Sequence, residues 1–214
     1  MRPIKIGPLS PITALTTAFN AQTFNSTGAA TAVTTSATTD GLAHQVTLVA
    51  PVQATLAGIT FTIVGTDADG KAKTETGLVG PASGATVTST GYFKTISTIQ
   101  PSATMGALVV SVGIAATSVS PTIVLESRSI VAAMHALVVS GTINYTLQET
   151  LENPFVTNTD TLSWLSMSSA FSAKTATVTG QGVVGAQAVR VLTNTVTNGA
   201  TYTLMTSHPT QQTG

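Results

Sequence analysis

The feature that most constrains this fold is an alternation of apolar and polar residues with a period of two, which begins near residue 42. In ITFTI (59–63), large apolar residues alternate with threonines, and similar alternation recurs in HQVTLVA (44–50), ALVVSVGIA (107–115) and INYTLQ (143–148). Successive side chains of a strand point to opposite faces, and β-branched residues favour that pleated surface. No long segment with a helical period competes, so the sequence predicts an all-β chain.

Turn-forming residues divide the predicted strands into a regular series. Gly, Pro and Asn recur at intervals of roughly eight to twelve residues, which is typical of sandwiches and barrels. We therefore predict a β-sandwich or jelly-roll-like fold, either as one large sandwich or as two small ones. Within it, Ser140-Gly141 separates two strands, and Asn198-Gly199 is the strongest signal for a two-residue hairpin in the chain.

Changes in composition along the chain divide it into three predicted segments. Residues 1–36 are Thr-rich without clear periodicity, which predicts either a flexible leader or an extended N-terminal arm that orders against a neighbour. Residues 37–126 are predicted to form a β-sandwich domain. Residues 127–214 are predicted to form a second sandwich half or domain, because ESRS (126–129) interrupts the apolar pattern.

The chain carries very little charge. Asp, Glu, Lys and Arg make up 7% of its 214 residues, against roughly 25% in ordinary soluble domains. Eight basic residues balance eight acidic ones, so no basic field is available to hold nucleic acid. We interpret this as a surface covered by copies of the chain or by partners, with a neutral but hydrated Thr, Ser and Asn surface as the alternative.

Several classes of site and compartment signal are missing from the sequence. The absence of Cys excludes disulfides, thiolate catalysis and Cys-based zinc sites, and it leaves the compartment open. Prolines interrupt the apolar residues after the basic start, which argues against a signal peptide. Residues 95–125 lack charge, but their Pro and Gly residues argue against a membrane helix, so we expect buried or interface strands there.

The acidic turn DADG (67–70) is the most site-like stretch of the sequence. Asp67 and Asp69 match the first two ligand positions of a calcium loop, but Lys71 stands at the third and Glu75 comes too early to close it. We therefore predict a chain reversal in which Asp side chains cap turn amides and Gly65 and Gly70 supply unusual backbone angles. Residues 71, 73 and 75 are predicted to project into solvent.

No other cluster of residues has the spacing of a catalytic or metal site. His44, His135 and His208 lack metal-ligand spacing, and His135 is predicted to be packed or hydrogen-bonded near a strand start. A cleft pair of Glu126 with Glu149 stays open, although nothing in the sequence favours it. Neither a nucleophile elbow nor a phosphate loop occurs. We predict no enzymatic activity, catalytic residue, metal ligand or cofactor.

Three blocks of the sequence resemble, in order, structural proteins of tailed-bacteriophage virions. The first is ITFTIVGTDADGKAKTETGLVGPASGATVTSTGYFKTISTI (59–99), the second VVSGTINYTLQETLENPF (138–155), and the third AVRVLTNTVTNGATYTLM (188–205). The matching residues are Gly65-Thr66-Asp67, Gly70, Thr74-Glu75-Thr76, Gly80-Pro81, Phe93-Lys94-Thr95, Ser140-Gly141-Thr142, Asn144-Tyr145-Thr146 and Asn153-Pro154-Phe155. The chain departs from the family at Glu152-Asn153, where an acidic pair is usual, and in its Thr-rich leader.

The resemblance implies a non-enzymatic building block of the virion. A capsid decoration (cement) protein is the leading expectation: a homo-oligomer, of which a trimer is one form, that binds the major capsid protein lattice and stabilises only the assembled shell. A neck, tail or baseplate ring component is the alternative. No nucleic acid or membrane partner is expected. The contact residues expected in the arm are Arg2, Ile4, Lys5, Phe19 and Phe24.

A carbohydrate-binding or adhesive module is the hypothesis from a different class. β-Sandwiches often carry such sites, and exposed aromatic rings would stack on sugars. Only 5% of the residues are aromatic, so the case from composition is thin. The candidate stacking residues are Trp164, Tyr92, Tyr145 and Tyr202.

Overall fold

The computed structural model describes residues 4–15, 21–23, 31–32, 38–52, 55–105, 109–125, 132–155, 158–167, 169 and 171–207. The regular structure of these residues consists of β-strands and one 3-10 turn at Thr159–Thr161, which confirms the predicted all-β class. The strands are β1 (Ile4–Leu9), β2 (Ala21–Thr23), β3 (Thr31–Ala32), β4 (Ala43–Val49), β5 (Thr60–Thr66), β6 (Ala72–Val79), β7 (Thr86–Phe93), β8 (Thr95–Pro101), β9 (Val109–Val119), β10 (Ile123–Val124), β11 (Met134–Ser140), β12 (Ile143–Thr150), β13 (Leu165–Ser166), β14 (Val178–Gln181), β15 (Ala188–Val196) and β16 (Thr201–Ser207).

The chain divides into two compact units. Unit 1 comprises residues 1–13 together with 119–214, and unit 2 comprises residues 14–118. Unit 1 is therefore built from two separate stretches of chain, whereas unit 2 is continuous. The boundary predicted near residues 126–130 lies outside the described residues, and the division between units falls between Ser118 and Val119.

Unit 2 is layered like a sandwich. One sheet has the strand order β3-β8-β5-β6, and in a second sheet β9, β4 and β7 lie side by side while β2 pairs with β9. The alternation in ITFTI has its predicted consequence, because Phe61 and Ile63 are fully buried from one face of β5. From the second sheet, Val46 and Leu48 are buried in the same way. Each sheet thus contributes an apolar face to the core.

Unit 1 repeats this plan with other strands. One sheet has the order β1-β16-β11-β14, and in the other β12 lies between β13 and β15 while β10 pairs with β15. The predicted common face of Ile143, Tyr145 and Leu147 on β12 is confirmed, since all three are fully buried. Residues 4–9, which the sequence assigned to the arm, form β1 and pair antiparallel with β16 of the same chain.

Two neighbouring corners carry the chain of unit 1 between its sheets. Ser140-Gly141 does separate two strands, β11 and β12, but they belong to different sheets. Asn198-Gly199 forms the predicted turn, in which the Ala200 N–H donates to the Thr197 carbonyl over 3.2 Å. The predicted hairpin is nevertheless wrong, because β15 and β16 that flank this turn also enter different sheets.

The two corners support each other. The Thr197 N–H donates to the Thr142 carbonyl over 3.0 Å, which joins the second corner to the first. Gly141 has a φ of +80°, and a Cβ there would lie 3.0 Å from the Ala200 Cα. Glycine is therefore required at position 141 both by the left-handed backbone and by the close approach of the neighbouring corner.

Candidate functional site

The DADG stretch is a capped turn at the end of the β5–β6 hairpin. One carboxylate oxygen of Asp67, Oδ1, accepts the N–H groups of Asp69 over 3.0 Å and of Lys71 over 2.9 Å. Asp67 is fully buried, and Gly70 has a φ of +78°. The predicted capping of turn amides by an Asp and the predicted backbone angle at Gly70 are confirmed. Among the described residues, no group of three or more His, Asp or Glu side chains is placed to hold a metal ion.

Gly65 is needed for a different reason from the one predicted. Its φ is not in the left-handed region, so it supplies no unusual backbone angle. Instead, a Cβ at this position would lie 1.9 Å from the carbonyl oxygen of Thr95 on β8. Gly65 is therefore required because the backbones of β5 and β8 approach each other closely here.

The prediction that residues 73 and 75 project into solvent is wrong. Lys73 is only 6% exposed: its Nζ donates to the Tyr92 carbonyl over 3.0 Å and lies 4.7 Å from the Phe93 ring centroid. The Glu75 carboxylate accepts the N–H groups of Thr90 and Gly91, each over 2.8 Å. Because β7 is the last strand of its sheet, these side chains of β6 bind backbone groups at a sheet edge.

Residues within the three sequence blocks 59–99, 138–155 and 188–205 contact one another. The hydroxyl groups of Thr66 and Thr95 are 2.7 Å apart, and the Lys94 N–H donates to the Thr66 carbonyl over 2.9 Å. In unit 1, the side-chain amide of Asn194 donates to Asn144 Oδ1 over 2.7 Å, which joins the second block to the third. These residues hold strands and corners together, so their role in the described structure is architectural.

The predicted contact residues lie partly within the described chain. Ile4 and Lys5 are exposed residues of β1, which is an edge strand of its sheet. Arg2, Phe19 and Phe24 lie outside the described residues. Lys5 is paired with Met205 on β16, so the two side chains point to the same face of the sheet.

That face, directed away from the core of unit 1, is an apolar surface that the sequence analysis did not identify. Met134 and Val138 of β11 are 40% and 43% exposed, and a shallow cavity of about 230 Å³ lies beside Met134 and Met205. The sequence does carry a signal for this surface, because in AMHALVV (133–139) apolar residues stand at positions that point to both faces of the strand. We call this surface the outward face and define it by Lys5, Met134, Ala136, Val138, Thr179, Thr203 and Met205.

The aromatic residues proposed to stack on sugars are mostly engaged within the protein. Tyr145 and Tyr202 are at most 1% exposed, so they are core residues. The Arg190 guanidinium lies 4.1 Å from the Trp164 ring centroid, and the indole N–H donates to the Thr159 carbonyl over 2.8 Å. The structure therefore contradicts Tyr145 and Tyr202 as sugar-stacking residues, and the Trp164 ring is already in contact with a cation.

A histidine and a carboxylate are paired inside unit 1. His135 Nε2 lies 2.8 Å from Glu149 Oε1, and His135 Nδ1 lies 3.0 Å from the Thr206 hydroxyl. The other oxygen of Glu149 accepts the Val183 N–H over 2.6 Å. The prediction that His135 is hydrogen-bonded near a strand start is confirmed. Glu149 is sealed in the core at 1% exposure, and its proposed cleft partner Glu126 lies outside the described residues.

A second such pair lies inside unit 2. His44 Nε2 is 2.8 Å from Asp40 Oδ2, and His44 Nδ1 is 2.9 Å from the Ala115 carbonyl oxygen. The other oxygen of Asp40 accepts the Leu42 N–H over 3.0 Å. Both side chains of the pair are almost completely buried. This pair is not predicted from the sequence, because Asp40 belongs to a turn and His44 to a strand, so no regular spacing links them.

Within the described part of the chain, no helix has the length and hydrophobicity that a membrane span requires. Comparison of the chain with models of protein families, with curated protein sequences and with solved structures finds no match in any of the three.

Proposed function

We propose that this chain is a non-enzymatic structural protein of a tailed-bacteriophage virion, and specifically a capsid decoration protein that acts as a homo-oligomer on the assembled shell. The observation that carries the proposal is the outward face of unit 1, whose described residues include exposed Met and Val side chains and no carboxylate. A chain with 7% charged residues that also exposes such a face is suited to association.

The occupant proposed for the outward face is a second copy of the chain. Lys5 is the one charged residue that defines this face, so it offers little basis for attracting an oppositely charged partner. An identical face, with one cation and no carboxylate among the residues that define it, is available on every other copy at equal concentration. A stable interface needs about 800 Å² from each partner, and burial contributes about 25 cal/mol per Å² of apolar surface. The shallow cavity beside Met134 offers space for a partner's side chain.

The ordered resemblance to virion proteins supports the same proposal. The residues that match that family cap turns, hold corners and pair strands, as Asp67, Gly141 and the Thr66–Thr95 pair illustrate. Such residues preserve a scaffold rather than a reaction centre. An oligomer that binds only the assembled shell would stabilise that shell by mass action, without any chemical step.

The oligomeric state of the purified chain tests the outward face. Light scattering coupled to size-exclusion chromatography should give an oligomer for the wild type and a monomer for Val138→Asp, because a carboxylate in an apolar interface is costly. Val52→Asp is the matched control: Val52 is 80% exposed in unit 2, and its replacement should leave the oligomer intact. A wild-type chain that stays monomeric at high concentration would overturn the assignment of this face.

The copy number in source particles tests the virion assignment separately. Hundreds of copies per particle, measured on a calibrated gel, are expected for a decoration protein. A number that matches one ring would support the neck, tail or baseplate alternative instead. A chain that is absent from purified particles and turns over a substrate in solution contradicts both virion assignments.

A further inference from the structure

The buried imidazole of His44 faces hydrogen-bond acceptors on both sides. Its Nδ1 lies 2.9 Å from the carbonyl oxygen of Ala115, which can only accept a hydrogen bond, so Nδ1 must carry a proton. Its Nε2 lies 2.8 Å from a carboxyl oxygen of Asp40, and one further proton must lie between these two atoms. That proton belongs either to an imidazolium or to a carboxylic acid.

We propose that the His44–Asp40 pair holds two protons in the folded protein and therefore acts as a proton-dependent lock on unit 2. In an unfolded chain at neutral pH, a His with a pKa of about 6.5 is mostly neutral and an Asp with a pKa of about 3.9 is ionised, so the two side chains hold one proton. Folding of unit 2 then takes up one proton from solvent.

The sign of the resulting pH dependence follows from this proton count. Stability falls with rising pH wherever the folded state binds more protons than the unfolded state. For one proton, the folding equilibrium constant falls about tenfold per pH unit above roughly pH 6.5. The decline ends when the folded pair releases its second proton. The His44–Asp40 pair therefore stabilises unit 2 most in mildly acidic solution, and this stabilisation decreases under alkaline conditions.

Several elements of the described structure place groups around the His44 ring. Asp40 lies on the turn before β4, the strand that carries His44, and β9 contributes the Ala115 carbonyl. On β7, the residue paired with His44 is Phe93, whose ring contacts the Lys73 ammonium of β6. Among the described residues, Asp40 is thus the titratable side chain that shares a hydrogen bond with the His44 ring.

The second buried pair provides an internal comparison. His135 also faces a carboxylate through Nε2, but its Nδ1 faces the Thr206 hydroxyl, which can donate as well as accept. A His135 ring with one proton on Nε2 satisfies both contacts. The requirement for a second proton thus applies to the His44–Asp40 pair in unit 2. The hydrogen bonds of the His135–Glu149 pair in unit 1 form without it.

Asp40→Asn tests the proposal with an isosteric change. The Asn amide can donate to Nε2 of a neutral imidazole and accept the Leu42 N–H, so the hydrogen bonds to His44 and Leu42 survive without the second proton. The test measures the folding equilibrium constant in denaturant from pH 7 to pH 9. For each pH unit, the factor by which this constant falls should be about ten times smaller in Asp40→Asn than in the wild type. Glu149→Gln makes the matching change in unit 1 and should keep the wild-type slope. Equal slopes for Asp40→Asn and the wild type would overturn the proposal.

Nuclear magnetic resonance of the wild-type protein gives a test that needs no variant to fold. With ¹⁵N in the imidazole rings and ¹³C in the Asp carboxyls, spectra at pH 8 report the protonation of both partners. A protonated Nε2 on His44, or a protonated carboxyl on Asp40, supports the proposal. An unprotonated Nε2 together with an ionised Asp40 overturns it.

Discussion

Replacing Gly65 by Ala should destabilise unit 2 strongly, although a methyl group is the smallest possible addition. The new Cβ would lie 1.9 Å from the Thr95 carbonyl oxygen, whereas real Cβ contacts essentially never fall below 3.0 Å. The obstacle is backbone in a paired strand, so relief requires β5 and β8 to separate by about 1 Å over part of their length. Overpacking of this kind costs about 1–3 kcal/mol, and we expect the upper end of that range.

Two other glycines serve as matched controls for this prediction. Gly70→Ala meets no atom within 4 Å but has a φ of +78°, so it should cost only the conformational penalty of about 1–2 kcal/mol. Gly58→Ala has open space and no left-handed backbone, so it should be neutral or stabilising by about 0.4–1 kcal/mol. Guanidinium unfolding should rank Gly65→Ala least stable and Gly58→Ala most stable. If Gly65→Ala proves as stable as Gly70→Ala, the close approach of β5 and β8 does not require glycine at position 65.

Two further predictions concern unit 1. Burial raises the pKa of Tyr145 to about 12, against about 10 for a free tyrosine, so the folded chain keeps this proton longer and loses stability as pH rises from 10 to 12. In an absorbance titration, one of the three tyrosines should ionise last, and Tyr145→Phe should remove that last step. Three tyrosines that ionise together near pH 10 in the folded chain would contradict this prediction. Arg190→Lys removes a planar cation from the Trp164 ring and a hydrogen bond of 3.0 Å to Gln148, so it should cost about 1–3 kcal/mol. Since Trp164 is the only Trp, its emission should change as well, and unchanged emission with unchanged stability would argue against the stack.

The parts of this structure that sequence analysis predicts well are those set by neighbouring residues. The face shared by Tyr145 and Leu147 follows from alternation along one strand, and the DADG turn follows from an Asp side chain that caps amides two and four residues ahead. Both depend on chain geometry over a few residues. No information from distant segments is needed for either.

The predictions that failed depended on segments far away in the chain. Asn198-Gly199 specifies a tight turn, but whether its flanking strands pair with each other is decided by β11 and β12. Lys73 and Glu75 are buried or engaged because β7 lies beside them, which alternation along β6 does not reveal. The Asp40–His44 pair likewise needs the Ala115 carbonyl of β9. In each case the missing information is which strands become neighbours.

The pairing of β1 with β16 has a consequence for the order of folding. Lys5 and Met205 are partners about 200 residues apart, whereas unit 2 comprises the continuous residues 14–118. Closing a flexible loop of about 200 residues costs about 5 kcal/mol, a cost that falls if the intervening chain is already compact. During synthesis, every residue of unit 2 therefore emerges before β16, the partner of β1. Pulse-labelling hydrogen exchange should find the amides of β5 protected before those of β1.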